Sequence, residues 1–162
     1  NERDELGDDL VPDYISRVRE GGFYGWPWFY LGANEDPSHR GKRREWADRV
    51  RVPDILVASH SASLNLAFYT GNLFPPEYRN DIFAALHGSW NRSKRTGYKI
   101  VRAPLKDGKP AGWYEDFVTG FVTDDGNVWG RPVGIAVAKD GALLFSEDAA
   151  NTIWRVTYEP PQ

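Results

Sequence analysis

The segment that decides the fold is GRPVGIAVAKDGALLFSEDAANTIWRVTY, residues 130–158. It contains three short apolar runs, at residues 133–137, 142–145 and 152–156, separated by polar turn sequences. The first separator is Lys139-Asp140-Gly141. Asp-Gly between two β-prone runs favours a hairpin, because glycine accepts the positive φ of a tight turn. The segment therefore predicts a three-stranded antiparallel meander.

Weaker copies of this pattern occur upstream. Residues 14–18 (YISRV) and 98–102 (YKIVR) are similar to residues 152–156 (TIWRV), and residues 64–68 (LNLAF) are similar to residues 133–137 (VGIAV). Self-similarity in units of one small sheet is typical of a β-propeller or a related array. We therefore predict an all-β protein.

Composition excludes several classes of protein. The chain has 162 residues, a formal net charge of -3 and interleaved charges of both signs, so no basic face for nucleic acid is expected. No apolar run approaches the ~20 residues that span a bilayer, and the acidic start of the sequence does not resemble a signal peptide. The absence of Cys excludes disulfides and thiolate metal sites, and it leaves the compartment open.

Residues 1–13, NERDELGDDLVPD, form an acidic loop in which Pro12 opposes a regular helix. Carboxylate and carbonyl oxygens are the ligands that calcium prefers, although the spacing does not match the helix-loop-helix calcium pattern. A solvated acidic turn between strands is the alternative. The residues alone leave both open.

Two further loops carry polar side chains beside predicted strands. His60 lies in the small-residue loop SHSAS that leads into the strand at residues 64–69, where it is either a structural residue or a ligand. HGSWNR, residues 87–92, directly follows the predicted strand at residues 81–86 and is too polar for the middle of a strand. Loops that enter the inner strands of a propeller meet at its axis, where ligands bind.

The chain resembles the sorbosone dehydrogenase branch of the soluble pyrroloquinoline quinone (PQQ)-dependent sugar dehydrogenases. The motifs that carry the resemblance are spread over most of the sequence: NERDELGDDLVPDY, GGFYGWP, LAFYTG, HGSWNR, GRPVGIAV and NTIWRV. The resemblance implies a six-bladed β-propeller that holds PQQ and calcium on its axis and oxidises sugars or sugar aldehydes. It also implies a periplasmic or secreted location.

The resemblance covers only the C-terminal part of the family's sequence, so we expect two to two and a half blades. Residues 1–30 would be the end of one blade, 31–51 a surface excursion with one or two helical turns, 52–121 a blade and 122–158 the final blade. Such a piece leaves open sheet edges. We therefore expect either missing N-terminal blades or self-association to close the ring, with a small-molecule sugar and an electron acceptor as further partners.

The family's cofactor-binding residues carry over where the motifs match. The resemblance implies that Arg131 pairs with PQQ carboxylates, a role that suits the planar guanidinium fork. It implies that Asn91 and Arg92 reach the cofactor from the preceding blade, and that His60 does so from its entrance loop.

The family's calcium loop corresponds to residues 4–9, which makes Asp4 and Glu5 the nearest matches to the metal ligands. The Gly-Pro pair of the glucose-oxidising relatives is missing from this loop. The general-base histidine of the family has no counterpart here and is expected upstream, so no catalytic residue is assigned and the chain alone is expected to be inactive. The alternative is a non-catalytic propeller segment that acts as an interaction or scaffold module.

Overall fold

A computed structural model describes residues 1–160 and shows an all-β chain with a few short 3₁₀ helices. The strands are β1 (Asp13–Ile15), β2 (Phe29–Tyr30), β3 (Asn34–Glu35), β4 (Ile55–Val57), β5 (Ser63–Phe68), β6 (Ile82–Leu86), β7 (Lys99–Ala103), β8 (Leu105–Lys106), β9 (Lys109–Pro110), β10 (Glu115–Val118), β11 (Pro132–Val137), β12 (Leu143–Glu147) and β13 (Thr152–Val156). The 3₁₀ helices are Pro37–His39, Arg44–Arg49 and Pro76–Tyr78. Among the described residues, no helix is long and apolar enough to cross a membrane.

The predicted meander is confirmed. Strands β11, β12 and β13 form an antiparallel sheet in sequence order. Gly141 makes the first turn with φ +91°, and its N–H donates to the carbonyl of Ala138 at 2.9 Å. Tyr69, from the neighbouring sheet, donates its hydroxyl to the Gly141 carbonyl at 2.7 Å. The turn is therefore fixed both by its own backbone and by the adjacent sheet.

The central sheet has the strand order β10-β7-β6-β5, with antiparallel neighbours throughout. Its β6 is buried at every position, because both faces of the sheet are covered. One face packs against the meander through a cluster that includes Phe83, Ile100, Leu143 and Phe145. The other face packs on the two-stranded sheet of β1 and β4. Each fully buried side chain of this size contributes about 1.5–3 kcal/mol of transfer free energy.

Strand β4 differs from the grouping that the sequence indicated. The sequence groups residues 52–57 with the blade of the central sheet, whereas Ile55–Val57 pairs with Asp13–Ile15. Ile15, Ile55 and Val57 then point together onto the central sheet, where they are buried. The division of the chain into blades, and their number, stay predictions.

The surface excursion contains the predicted helical turn at Arg44–Arg49, next to a small hairpin of β2 and β3. Trp46 from this turn packs edge-on against Phe23, with the ring centroids 5.0 Å apart. The aromatic loop and the excursion therefore support each other.

Strands β5 and β11 are edge strands of adjacent sheets and lie side by side, and we call them the inner strands. The Ile135 N–H donates to the Asn65 side-chain oxygen at 2.9 Å, which joins the middles of the two strands. The side chains of Leu64, Leu66 and Phe68 on β5 are exposed. The sheet of β1 and β4 packs instead on the buried side chains of β6 and β7. Small antiparallel sheets packed in this way are consistent with a fragment of a β-propeller.

Candidate functional site

The acidic loop, residues 1–13, folds against the loops that contain His60 and Asn91. Asp4 Oδ1 lies 3.2 Å from His60 Nδ1 and accepts a hydrogen bond from Asn91 Nδ2 at 2.6 Å. His60 Nε2 lies 2.9 Å from the Gly7 carbonyl. Three loops that are distant in sequence are thus joined at Asp4.

Both ring nitrogens of His60 face acceptors that cannot donate, a carboxylate and a carbonyl. Only the imidazolium form donates to both. His60 is 9% exposed and has a backbone φ of 67°, in the left-handed region. The side chain therefore clamps the acidic loop and has no free nitrogen with which to bind a ligand.

Arg92 holds the far end of the acidic loop. Its Nη1 donates to the Asp8 carbonyl and its Nη2 donates to Asp9 Oδ1 at 2.9 Å. The next residue, Ser93, donates its hydroxyl and its N–H to the Asp8 carboxylate, and these hydrogen bonds lower the pKa of Asp8 below its usual value. Ser59 Oγ donates to the Asp9 carbonyl at 2.7 Å.

The base of the loop is fixed by a buried carboxylate. Asp13 accepts from the N–H groups of Glu2 at 2.8 Å and of Ala62 at 2.7 Å, and it is 2% exposed. Since Ala62 directly precedes β5, this carboxylate ties the acidic loop to the start of an inner strand.

The two predicted metal ligands point in different directions. Glu5 is exposed, with φ 71°, and its carboxylate lies 4.0 Å from Arg3 Nη2, away from Asp4. Within residues 1–160, no three His, Cys, Asp or Glu side chains converge in a way that could hold a metal ion. The loop carbonyls of Asp4, Gly7, Asp8 and Asp9 already face protein donors. Calcium at Asp4 and Glu5 stays a prediction.

Arg131 lies at a second, separate group of contacts. Its Nη2 lies 2.9 Å from His87 Nδ1, and its backbone N–H donates to Glu147 Oε2 at 3.3 Å. It makes no hydrogen bond to Asp4, His60, Asn91 or Arg92. The loop HGSWNR nevertheless links the two groups, because His87 contacts Arg131 and Asn91 contacts Asp4.

A tight backbone turn gives this loop its shape. Gly88 has φ +109°, and a Cβ there would lie 2.3 Å from the ring of Tyr98. Ser89 is buried, and its hydroxyl accepts from the Thr96 N–H at 3.0 Å. Trp90 is 80% exposed and lies beside Asn91 on a cavity of about 200 Å³. Sequence reasoning did not single out this indole.

Unsatisfied buried polar atoms concentrate at one end of the inner strands. Residues 1–160 contain four buried side-chain N or O atoms without a hydrogen-bond partner, and three of them are Ser63 Oγ, Asn91 Oδ1 and Arg131 Nε. Ser63 begins β5, Arg131 immediately precedes β11, and Asn91 lies in the loop that follows β6. Buried polar atoms without partners are rare, and each of them calls for an explanation such as a bound ligand or an ordered water. Ser63 and His87 were not predicted as site residues.

A larger cavity, of about 830 Å³, lies at the opposite end of the sheet of β1 and β4. Arg19, Trp46 and Arg51 are among the residues that line it. None of the predicted site residues does, so the candidate site remains at the ends of β5, β6 and β11.

Comparison with known proteins agrees with this architecture. The model of the TrAA12-like family matches residues 28–159. An uncharacterized protein of Borreliella burgdorferi is 38% identical over 162 residues, which cover 98% of this chain and 42% of that protein. A pyrroloquinoline quinone-dependent pyranose dehydrogenase of Coprinopsis cinerea is 28% identical over 128 residues, 67% of this chain and 17% of that protein.

Solved structures share the fold. The calcium structure of a Trichoderma reesei carbohydrate-active enzyme of family AA12 aligns with a TM-score of 0.71 at 20% identity, over 91% of this chain and 43% of that one. The holo form of the Coprinopsis cinerea pyranose dehydrogenase PQQ domain gives 0.63 at 24% identity, over 84% and 40%. The chain spans less than half the length of each of these relatives. Because the family model covers most of the sequence, the chain belongs to the TrAA12-like family.

Proposed function

We propose that this chain is the cofactor-holding part of a PQQ-dependent oxidoreductase that acts on sugars or sugar aldehydes. Membership of the TrAA12-like family and the similarity to a PQQ-dependent pyranose dehydrogenase support a PQQ-type oxidoreductase domain. The sorbosone dehydrogenase branch, the periplasmic or secreted location, and calcium as a second cofactor belong to the proposal.

The observation that carries the proposal is the group of unsatisfied atoms at the ends of the inner strands. Within residues 1–160, Arg131 Nε has a buried proton with no acceptor, and Asn91 Oδ1 is a buried acceptor with no donor. A planar polycarboxylate such as PQQ offers acceptors to a guanidinium fork, and an arginine suits such a partner better than a lysine does. The residues present therefore fit the cofactor at this position.

Each side chain has a definable task in this arrangement. Arg131 would neutralise and orient a carboxylate, while Asn91 and Ser63 would orient polar atoms at the rim. The exposed face of Trp90 is available for stacking on a planar group. When bound, the quinone supplies the hydride acceptor, and a calcium ion at the acidic loop would supply a Lewis acid.

None of the three histidines within residues 1–160 offers a free ring nitrogen at the candidate site. His60 and His87 each have both ring nitrogens in polar contacts, and His39 lies on the surface excursion beside Asp36. We therefore propose that the histidine that takes the substrate proton lies outside this sequence, and that the chain alone does not turn over. The missing N-terminal blades, or a second copy, would supply the remaining half of the site.

The test is a titration of the full-length apoprotein with PQQ. Arg131→Ala should weaken binding by about 2–5 kcal/mol, the range for removing one member of a buried, hydrogen-bonded charge pair. That corresponds to a loss of roughly 30-fold to several thousand-fold, since each 1.4 kcal/mol is tenfold. Arg155→Ala is the matched control, because Arg155 lies in the same sheet but pairs with the exposed Asp140. Equal affinities of Arg131→Ala and wild type would remove Arg131 from the site.

A non-catalytic interaction module remains the second candidate, and the exposed Leu64, Leu66 and Phe68 on β5 favour it. An apolar strand face of this kind promotes association. The same titration separates the two candidates, because a scaffold segment would show no saturable binding of PQQ.

A further inference from the structure

Three residues from different strand ends form a chain of hydrogen bonds that the sequence did not predict. His87 follows β6, Arg131 precedes β11 and Asp148 follows β12. Arg131 Nη2 lies 2.9 Å from His87 Nδ1, and His87 Nε2 lies 3.0 Å and 3.1 Å from the two oxygens of Asp148. His87 thus connects the central sheet to the meander.

The hydrogen-bond partners of His87 determine which of its ring nitrogens carries the proton. A guanidinium only donates, so His87 Nδ1 must carry a lone pair and accept. The ring proton is then on Nε2, where it is donated to the Asp148 carboxylate. The geometry therefore requires the neutral Nε2–H tautomer of His87.

The main chain of this corner does not depend on His87. The Arg131 N–H donates to Glu147 Oε2 at 3.3 Å, and the Asp148 N–H donates to the Arg131 carbonyl at 3.2 Å. The guanidinium, in contrast, has one hydrogen bond within the described residues, the one to His87, and its Nε is buried without a partner. His87 is therefore the group that determines where the guanidinium points.

We propose that His87 is a positioning residue that holds the Arg131 guanidinium ready for an anionic ligand, and that the site loses affinity when His87 becomes protonated. The proposal rests on the proposed function for the identity of that ligand, PQQ. Protonation replaces the acceptor at Nδ1 with an N–H that faces a cation, so the contact with Arg131 is lost.

The charged groups around His87 act in opposite directions. Arg131, at the start of β11, opposes a second positive charge, whereas Asp148, at the end of β12, favours it. Glu147 is committed to backbone N–H groups, and the nearby side chains of β5, Ser63 and Asn65, are uncharged. Histidine side chains in general change charge between pH 5 and 8, and the measurements below span that interval.

Two isosteric variants separate the two contacts of the ring. In His87→Asn the amide oxygen takes the place of Nδ1 and can accept from Arg131, whereas in His87→Gln the amide nitrogen takes the place of Nε2 and can donate to Asp148. Neither side chain titrates. His39→Ala is the control, because it removes a histidine from the surface excursion.

The test is PQQ titration of the full-length apoprotein at pH 8 and pH 5.5. Wild type and His39→Ala should lose ~10-fold or more in affinity at the lower pH. His87→Ala and His87→Gln should bind ~10-fold more weakly than wild type at pH 8, and His87→Asn should recover most of that loss. All three His87 variants should lose the pH dependence. His87→Ala that binds like wild type, or that keeps its pH dependence, would overturn the proposal.

A second readout does not need the cofactor. Two-bond ¹H–¹⁵N correlation spectra at pH 8 should show His87 as the Nε2–H tautomer, and the Arg131 Nε–H signal should be sharp in wild type and broadened in His87→Ala. The Nδ1–H tautomer, or an unchanged Arg131 signal, would refute the positioning role. If wild type binds no PQQ at all, the proposed function fails, and these spectra still decide whether His87 positions Arg131.

Discussion

The acidic-loop group around Asp4 and the corner around Arg131 both lie at the ends of the inner strands, but they differ in how their polar atoms are used. In the acidic-loop group nearly every donor has an acceptor within the chain, including both nitrogens of His60 and both terminal nitrogens of Arg92. At the corner, the Arg131 guanidinium makes a single hydrogen bond to the part of the chain that the structure describes, and its buried Nε has no partner there.

This difference separates a structural role from a binding role. A saturated network stabilises the fold and has little capacity left for a ligand, whereas buried unsatisfied atoms cost free energy until something binds them. We therefore expect changes in the acidic-loop group to act mainly on stability, and changes at the corner to act mainly on ligand affinity. Asn91 belongs to both regions, since its amide nitrogen is bonded and its oxygen is not.

The largest expected effect on stability is at Asp13. Asp13→Ala leaves the N–H groups of Glu2 and Ala62 without their buried acceptor, and hydrogen bonds to a charged group are worth about 1.5–3 kcal/mol each. We expect a loss of about 3 kcal/mol in the free energy of unfolding, measured by urea denaturation. Asp116→Ala, which removes an exposed partner of Lys99, should cost less than about 1 kcal/mol.

If Asp13→Ala proves as mild as Asp116→Ala, the acidic loop is not a structural anchor and the contrast between the two regions fails. If Asp13→Ala does not fold, Asp13→Asn keeps one acceptor oxygen and should show about half of the effect.

The second expected effect concerns calcium binding at the acidic loop. Among the loop atoms, Asp4 Oδ2 and the carbonyls of Glu5 and Leu6 accept no hydrogen bond from the described residues. Calcium takes six to eight oxygen ligands, so these atoms alone would bind it weakly. We expect calcium and PQQ to bind cooperatively, with EDTA lowering PQQ affinity of the full-length protein roughly 5- to 150-fold, or about 1–3 kcal/mol of coupling.

The variant Asp4→Asn checks this prediction, because it should reduce the dependence of PQQ affinity on calcium. PQQ affinity that is the same in calcium and in EDTA would remove calcium from the candidate site and leave the acidic loop with a structural role alone.

The parts of the fold that sequence predicted are those governed by local chemistry. Asp140-Gly141 specifies the hairpin between β11 and β12, and the apolar runs specify their strands. The pairing of β4 with β1 was not predictable, because two three-residue strands about 40 residues apart carry no periodic signal of their partnership. Their association is decided by burial against the central sheet.

The same distinction holds for the candidate site. The resemblance implies that Asp4, His60, Asn91 and Arg92 share one site, and they come together because their loops lie at the same end of the sheets. The contact between His87 and Arg131 depends on how two sheets pack, and Glu5 points outward because of its own left-handed backbone. Neither the contact nor the direction of Glu5 can be predicted from a single sequence.

The third prediction concerns the carboxylate that supports the Arg131 backbone. Burial alone would raise the pKa of Glu147, but hydrogen bonds from the N–H groups of Ala150, Arg131 and Thr152 lower that pKa below its ordinary value of 4.5. The resulting stabilisation is present above about pH 4.5 and is lost as the pH falls through the lowered pKa. In urea denaturation, wild type should therefore exceed Glu147→Gln in stability at pH 6, and the difference should shrink toward pH 3. A constant difference would contradict the ionised state of Glu147.

The smallest expected effect is at Arg92, for which the resemblance and the structure give different roles. The resemblance implies that Arg92 contacts the cofactor, whereas the structure directs both of its terminal nitrogens to the acidic loop, at the Asp8 carbonyl and Asp9 Oδ1. The Asp9 side chain is exposed, so that ion pair is worth less than about 1 kcal/mol and is screened by salt. Arg92→Ala should therefore lower the free energy of unfolding by roughly 0.5–1 kcal/mol, less in 1 M NaCl, and should change PQQ affinity far less than Arg131→Ala does. A loss of affinity comparable to that of Arg131→Ala would instead place Arg92 at the cofactor, and it would mean that the contacts of Arg92 to the acidic loop are exchanged when the ligand binds.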